Sequence, residues 1–261
     1  MTIKLAFLGT GTCNSTQRNP SALAISDEKD VVMIDCGGGS YHQISRLNNK
    51  HFKYDAISTV LLTHLHVDHM SGLADLIWGE MWDSRRTRIE PLTIVGPPGL
   101  NQFISMRLLP FIGNYDIPFK ILTKELLHGE IYTGTFFSAR SYTLTHTVSS
   151  TGYLLTFGRA RLAITGDTGL CPNLVDLLTE SDSAVMEWNT RGRSNNKFHI
   201  SDTDIEHLLN INALPPKVYI IHMCLSCEVS FEDQVKTCIR LVGEYADRFF
   251  FPVDMDVVDV G

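Results

Sequence analysis

The sequence predicts an α/β protein built from two mixed β-sheets sandwiched between helical layers. Three observations carry this reading. Short apolar runs alternate with single amphipathic helices in both halves of the chain. Histidines and aspartates recur directly after those runs. No Pro/Ser-rich linker, charge run, low-complexity tract or internal repeat interrupts the 261 residues. Residues 1–261 are therefore expected to form one domain, since α/β domains reach about 250 residues.

The elements follow in order. Residues 3–8 read as the first strand and 9–18 as a loop. Runs 22–26 and 31–35 flank Asp27-Glu28-Lys29-Asp30 and read as a hairpin. Gly37 to Gly39 is a turn before a helix at 41–47, and 57–62 is a buried strand. Leu73, Leu76, Ile77 and Met81 share one helical face, which predicts a helix over 71–82. A strand at 92–95, a turn at Gly96-Pro97-Pro98 and a helix at 100–109 come next. Strands are expected at 119–122, 135–144, 152–157 and 161–165. Pro172 suits the start of a helix at 172–178. A strand at 184–188 precedes a helix at 202–210 capped by Ser201 or Asp202. A strand at 217–222, a helix at 231–245 and a last strand at 249–258 complete the chain.

Composition narrows the function. Hydrophobic residues make up 44% and charged residues 20%, as in ordinary globular proteins. Apolar runs such as 31–34 fall far short of the roughly 18 residues a membrane span needs. The N-terminal run enters Gly9-Thr10-Gly11-Thr12 directly, so a strand is expected there rather than a signal peptide. The net charge of −7 lacks the basic excess of a nucleic-acid binder at whole-chain level. Six cysteines without a secretory segment read as free thiols in a reducing, cytoplasmic compartment.

The chemistry concentrates after the 57–62 strand. His64, His66, Asp68 and His69 fall within six residues. Two-residue spacing puts His64 and His66 on one face of an extended segment. Asp68 and His69 then point elsewhere, where they could serve a second ion. A buried ionisable cluster is costly without a metal or charge partner. One loop does not fill a coordination sphere, and His146, Asp167 and His222 each follow an apolar strand. That recurrence is what a metal site at a sheet edge requires. A carboxylate can bridge two cations about 3.5–4 Å apart.

In this order, His64-Leu65-His66-Val67-Asp68-His69, His146, Gly166-Asp167-Thr168-Gly169 and His222 resemble the metallo-β-lactamase superfamily. The resemblance covers nearly the whole chain. It implies a four-layer αβ/βα sandwich with a dinuclear site in the cleft between its sheets. It assigns His64, His66 and His146 to one ion and Asp68, His69 and His222 to the other, with Asp167 bridging. The two divalent ions it implies are most often zinc, with manganese or iron in some members.

Within the superfamily the chain is similar to the branch holding tRNase Z and related phosphodiesterases. Phe7-Leu8-Gly9-Thr10-Gly11-Thr12, Arg18-Asn19-Pro20-Ser21, Asp35-Cys36-Gly37, Gly96-Pro97-Pro98-Gly99-Leu100 and residues 146–153 carry that likeness. Glu187 and His199 match the branch's Glu–His pair beside the metals, with His199 as proton donor to the leaving oxygen. The chemistry is sound in itself. Bound metal ions would supply an activated water for attack on phosphorus, and an alkoxide leaves poorly unless protonated. Asp68 would orient or deprotonate the water. Trp188-Asn189-Thr190 departs from the branch's usual small residues.

Size is the main departure. The tRNA-cutting members carry a long inserted arm, rich in Gly and basic residues, whereas only 45 residues separate Leu100 from His146 here. A phosphodiesterase acting on a small, nucleotide-type phosphodiester is therefore the leading expectation. A ribonuclease Z-type endonuclease for tRNA 3′ processing is the alternative, with a second copy in a homodimer supplying the missing surface. A thioester or β-lactam hydrolase on the same fold is the other. Arg191 and Arg193 lie between Glu187 and His199 and suit phosphate binding. Arg85, Arg86 and Arg88 form a second basic cluster after the 71–82 helix. Cys224-x-x-Cys227 beside His222 reads as buried thiols.

Overall fold

The computed structural model describes residues 2–84, 88–113, 115–189, 196–223 and 230–260. The first half supplies strands β1 Ile3–Gly9, β2 Ala22–Ser26, β3 Val31–Ile34, β4 Ile57–Leu61, β5 Leu92–Gly96 and β6 Ile121–Glu125. The second half supplies β7 Ile131–Thr133, β8 Ser138–Leu144, β9 Ser150–Phe157, β10 Ala160–Ile164, β11 Ser183–Glu187, β12 Lys217–Ile221 and β13 Phe249–Phe250. A final strand, β14 Val257–Val260, returns to the first sheet.

The sheets have orders β14-β1-β2-β3-β4-β5-β6 and β13-β12-β11-β10-β9-β8-β7. Each is antiparallel in one half and parallel in the other. The parallel pairs are β3–β4, β4–β5 and β5–β6 in the first sheet. In the second they are β10–β11, β11–β12 and β12–β13.

Strand alternation explains the layering. Leu5 and Phe7 of β1 pack between the sheets with Ile34, Leu61, Tyr153, Ile164, Val185 and Ile221. Ala6 and Leu8 face the opposite way, into a core with Leu73, Leu76 and Ile77. In β12, Tyr219 and Ile221 point inward while Val218 and Ile220 pack with Leu174, Leu178, Ile205 and Leu208. The helices on the first sheet are α1 Ser40–Arg46, α2 Val67–Met70, α3 Gly72–Trp82, α4 Leu100–Phe103 and α5 Leu109–Ile112. Those on the second are α6 Pro172–Thr179, α7 Asp202–Asn210 and α8 Phe231–Val242. The result is a helix–sheet–sheet–helix sandwich, as expected.

Four expectations need correcting. The 135–144 strand starts only at Ser138, as β8, and the residues before it turn back to β7 in a hairpin closed where Gly134 N–H donates to the Phe137 carbonyl at 2.9 Å. The 119–122 strand begins two residues later and runs on to Glu125. The last strand divides into β13 and β14, one in each sheet. Pro252 has no N–H for a ladder, so β13 stops before it. The 100–109 helix also runs on to Ile112, with a π-helical turn at Ile104–Leu108. Pro110 has no N–H to give the preceding turn, and the ladder widens there.

Candidate metal centre

The parallel strands of each sheet end at a common edge, and the two edges face each other. Loops leaving carboxyl ends of strands are where open α/β sheets place their ligands. After β3, Asp35 turns the chain with a φ of 56° and its N–H donates to the Leu61 carbonyl at 2.8 Å. After β4, Thr63 N–H donates to Asp35 Oδ1 at 2.8 Å, and His64 and His66 follow in irregular backbone. The short helix α2 then places Asp68 and His69 on a separate face. From the second sheet come His146 beyond β8, Asp167 beyond β10, Glu187 at the end of β11 and His222 beyond β12. His199 precedes α7, whose start is fixed by reciprocal bonds between Ser201 and Asp204.

These residues gather into two nests. Ligand atoms of His64, His66, His146 and Asp167 lie within 4.8 Å of one another, as do those of Asp68, His69 and His222. Asp167, His199 and His222 make a third such group. Asp167 stands between the nests. Its Oδ1 faces His69 Nε2 at 3.3 Å and His222 Nδ1 at 3.5 Å, while Oδ2 faces His64 Nε2 at 4.0 Å and His199 Nδ1 at 3.9 Å.

The donor set fits metal ions. Thr63 Oγ1 donates to Asp35 Oδ2 at 2.9 Å, so it accepts from His64 Nδ1 at 3.0 Å. His146 Nδ1 donates to the Phe198 carbonyl at 2.8 Å. In the neutral rings both Nε2 atoms are therefore lone pairs. Both face His66 Nδ1, at 3.0 and 3.1 Å, and one proton there satisfies only one of them. A cation satisfies all three, and nitrogens on a tetrahedral zinc ion sit about 3.3 Å apart. Asp167 Oδ1 is buried without a hydrogen-bond partner, which points the same way. His69 Nδ1 lies 2.7 Å from Asp35 Oδ2, leaving Nε2 toward His222 Nε2 at 3.3 Å. His222 Nε2 also lies 3.3 Å from Asp68 Oδ2.

The electrostatics differ between the two nests. Burial favours the neutral form of Asp167, yet His222 and His69 hold its carboxyl well below the usual range. Asp68 is also held down against its burial, by the His222 hydrogen bond and the His69 charge. Burial opposes charge on His69, but Asp167 and Asp35 outweigh it and raise that ring well above the ordinary histidine value. His222 is raised in the same way, by Asp167 and Asp68 against burial. His64 goes down through burial and the His69 charge, and burial also lowers His66 and His146.

Beside the nests, His199 Nδ1 lies 2.9 and 3.1 Å from the two Glu187 oxygens. Thr168 N–H donates to Glu187 Oε1 at 2.7 Å. Burial and the Asp167 charge raise Glu187 well above the usual carboxylate range, while burial lowers His199. The pair thus holds its proton between two groups that both resist charge.

The basic clusters divide differently. Arg88 is buried, pairs with Glu80 at 3.4 Å and donates to the Ile57, Glu90 and Pro91 carbonyls. It is a fastener of the first sheet's edge and not a solvated loop charge. Arg85, Arg86, Arg191, Arg193, Cys224 and Cys227 lie outside the described residues. Asp35 and Thr63 were absent from the candidate set, although Asp35 obeys the same pattern of an apolar strand followed by one acid. Asp254 was also missed. Its carboxylate accepts from Thr10 N–H and Oγ1 and from Asn19 N–H at 2.6–2.9 Å, tying the 9–20 loop to the C-terminal segment.

Known proteins share this architecture. A family model described as Anti-Pycsar protein Apyc1 matches residues 3–225. A ribonuclease Z of Methanosarcina acetivorans is 31% identical over 154 residues, which are 59% of this chain and 48% of that protein. The chain thus aligns with about half the length of such relatives. Among solved structures, the metallo-β-lactamase fold protein YhfI of Bacillus subtilis superposes with a TM-score of 0.80 at 14% identity, covering 99% of this chain and 100% of its own. The short form of human tRNase Z gives 0.76 at 20% identity, covering 99% of each chain. These likenesses establish the metallo-β-lactamase fold. No helix among the described residues is long and apolar enough to cross a membrane.

Proposed function

The chain belongs to the Anti-Pycsar protein Apyc1 family, and on that premise we propose that it is a dinuclear metal-dependent hydrolase of small, nucleotide-type phosphodiesters. One observation carries the proposal: a buried carboxylate, Asp167, lies between two nests of histidine and aspartate ligand atoms. In this reading His64, His66 and His146 would hold one ion and Asp68, His69 and His222 the other, with the Asp167 carboxylate shared between them. Imidazole and carboxylate donors suit zinc best, with manganese or iron also accommodated. When bound, such ions lower the pKa of water toward 7 and stabilise charge on phosphoryl oxygens.

The chain's own residues do the rest. Asp68 accepts a hydrogen bond from the attacking water and orients it toward phosphorus. His199 gives its Nε2 proton to the departing oxygen, and Glu187 holds the ring through Nδ1 so that Nε2 faces the cleft. Arg191 and Arg193, on the segment joining Glu187 to His199, hold a further phosphate oxygen of the substrate.

A second reading, endonucleolytic processing of tRNA, draws on the 31% identity to a ribonuclease Z. A tRNA-sized ligand needs many phosphate contacts and shows steep salt dependence, whereas this chain carries a net charge of −7. The test compares hydrolysis of bis(p-nitrophenyl) phosphate with 3′ processing of precursor tRNA. We expect turnover of the small diester and poor processing of the tRNA. Efficient, salt-sensitive tRNA processing would replace the leading reading with the second.

A further inference from the structure

Trp188 and Asn189 directly follow Glu187, and the catalytic reading gives them no role. Trp188 is fully buried, its Nε1 donates to Asp202 Oδ1 at 2.7 Å, and its ring lies 6.1 Å from that of Phe249. This anchors the chain just beyond β11. From there Asn189 reaches across to one residue twice. Its amide nitrogen lies 3.2 Å from His222 Nδ1 and donates to the His222 carbonyl at 3.3 Å. His222 itself has a φ of 51°, a conformation that side chains other than glycine rarely adopt, and its N–H donates to the Thr10 carbonyl at 2.9 Å.

We infer that Asn189 is the positioning residue for the His222 side of the metal centre, an inference that rests on the dinuclear reading above. The argument is one of proton placement. With the amide nitrogen toward the ring, Nδ1 is an acceptor and the ring proton sits on Nε2, where Asp68 Oδ2 lies 3.3 Å away. A ring that ligates through Nε2 carries its proton on Nδ1 instead, and that proton needs an acceptor; Asp167 Oδ1 lies 3.5 Å away but is a metal ligand in the dinuclear reading. A half-turn of the Asn189 amide puts its oxygen there. Asparagine serves both tautomers from one position. Alanine serves neither, and aspartate serves only the ligating one. With the amide nitrogen toward the ring, the carbonyl contact also holds the left-handed backbone that presents it, and the half-turn gives that contact up.

The test uses the full chain and its Asn189→Ala and Asn189→Asp variants. Zn2+ binding is measured by competition with a chromophoric chelator, Co2+ binding by its visible spectrum, and the metal-free proteins by thermal melting. Wild-type protein is expected to bind two equivalents. Asn189→Ala should keep one equivalent at full strength and bind the other about 10–100-fold more weakly, the usual effect of losing a partner behind a ligand. The Co2+ bands of that weaker ion should shift, and Asn189→Asp should restore most of the affinity. Unchanged affinity and spectra in Asn189→Ala would overturn the inference. Equal loss of both ions in both variants, with lowered metal-free melting temperatures, would also overturn it, since Asn189 would then be structural. Wild-type protein that binds no ion would instead overturn the dinuclear reading on which it rests.

Discussion

His199 is held by Glu187 through Nδ1, and among the described residues no hydrogen bond engages its Nε2. His199→Ala is expected to leave both metals bound and to lower kcat about 10²–10⁴-fold on diesters with alkoxide leaving groups, the range of general acid catalysis. The loss should shrink for nitrophenolate, which departs without a proton. Equal losses for both leaving groups, measured by steady-state kinetics, would make His199 structural. The proposed ligands were legible because the H-x-H-x-D-H run is dense and three further His or Asp residues follow apolar strands. Asp35 escaped because its role is indirect. Its carboxylate serves Thr63 and His69, and the strand-then-acid pattern it shares with Asp167 does not tell a ligand from a ligand's partner.

The same residues set a pH dependence. His69 and His222 are raised above the ordinary histidine value, chiefly by Asp167 against their burial. A raised histidine stabilises the fold in full below its unfolded pKa of about 6.5 and loses that contribution as pH rises through the folded value. Asp167 and Asp68 are lowered, so their contribution is present above about 3.9 and is lost as pH falls through their folded values. In metal-free protein this cluster therefore supports the fold best between about 3.9 and 6.5. Ligation needs neutral rings, so metal affinity runs the other way and rises with pH. Chelator competition at pH 6 and pH 8 should show tighter binding at the higher pH. Weaker binding at pH 8 would contradict the charge assignment.

At the scale of elements, the site depends on loops from different strands meeting without slack. Gly169 pairs with Thr145 in an isolated bridge, and a Cβ there would collide with the Lys197 carbonyl. The neighbouring Phe198 carbonyl accepts the His146 proton, and His199 comes next. Gly169→Ala is thus expected to push 197–199 outward and cost about 10²-fold in kcat, the scale of an ångström's misplacement. Steady-state kinetics with a thermal melt checks this, and full activity would mean that the loop yields freely. Legibility varied from element to element for local reasons. The helix at 202–210 was read to the residue because Ser201 and Asp204 cap it reciprocally. The β7–β8 hairpin was not, because Phe136 and Phe137 continue the apolar pattern through the turn. The division of the last strand between two sheets follows from long-range pairing, which periodicity does not encode.

At the scale of the molecule, two half-parallel sheets put their carboxyl edges against each other, and almost every proposed ligand stands at such an edge. The layered fold was readable from the alternation of strands and helices. The facing of the two edges was implied by the family resemblance alone, because no local pattern states which sheet a strand joins. The central claim is that the two nests are two metal sites and that hydrolysis depends on them. Its most direct test is to strip the protein with chelator, titrate it with Zn2+ or Mn2+, and follow bound equivalents by elemental analysis together with hydrolysis of bis(p-nitrophenyl) phosphate. The account predicts binding that saturates at two equivalents per chain, with hydrolysis appearing on loading and vanishing on chelation. A stoichiometry of zero, or hydrolysis indifferent to the chelator, would contradict it.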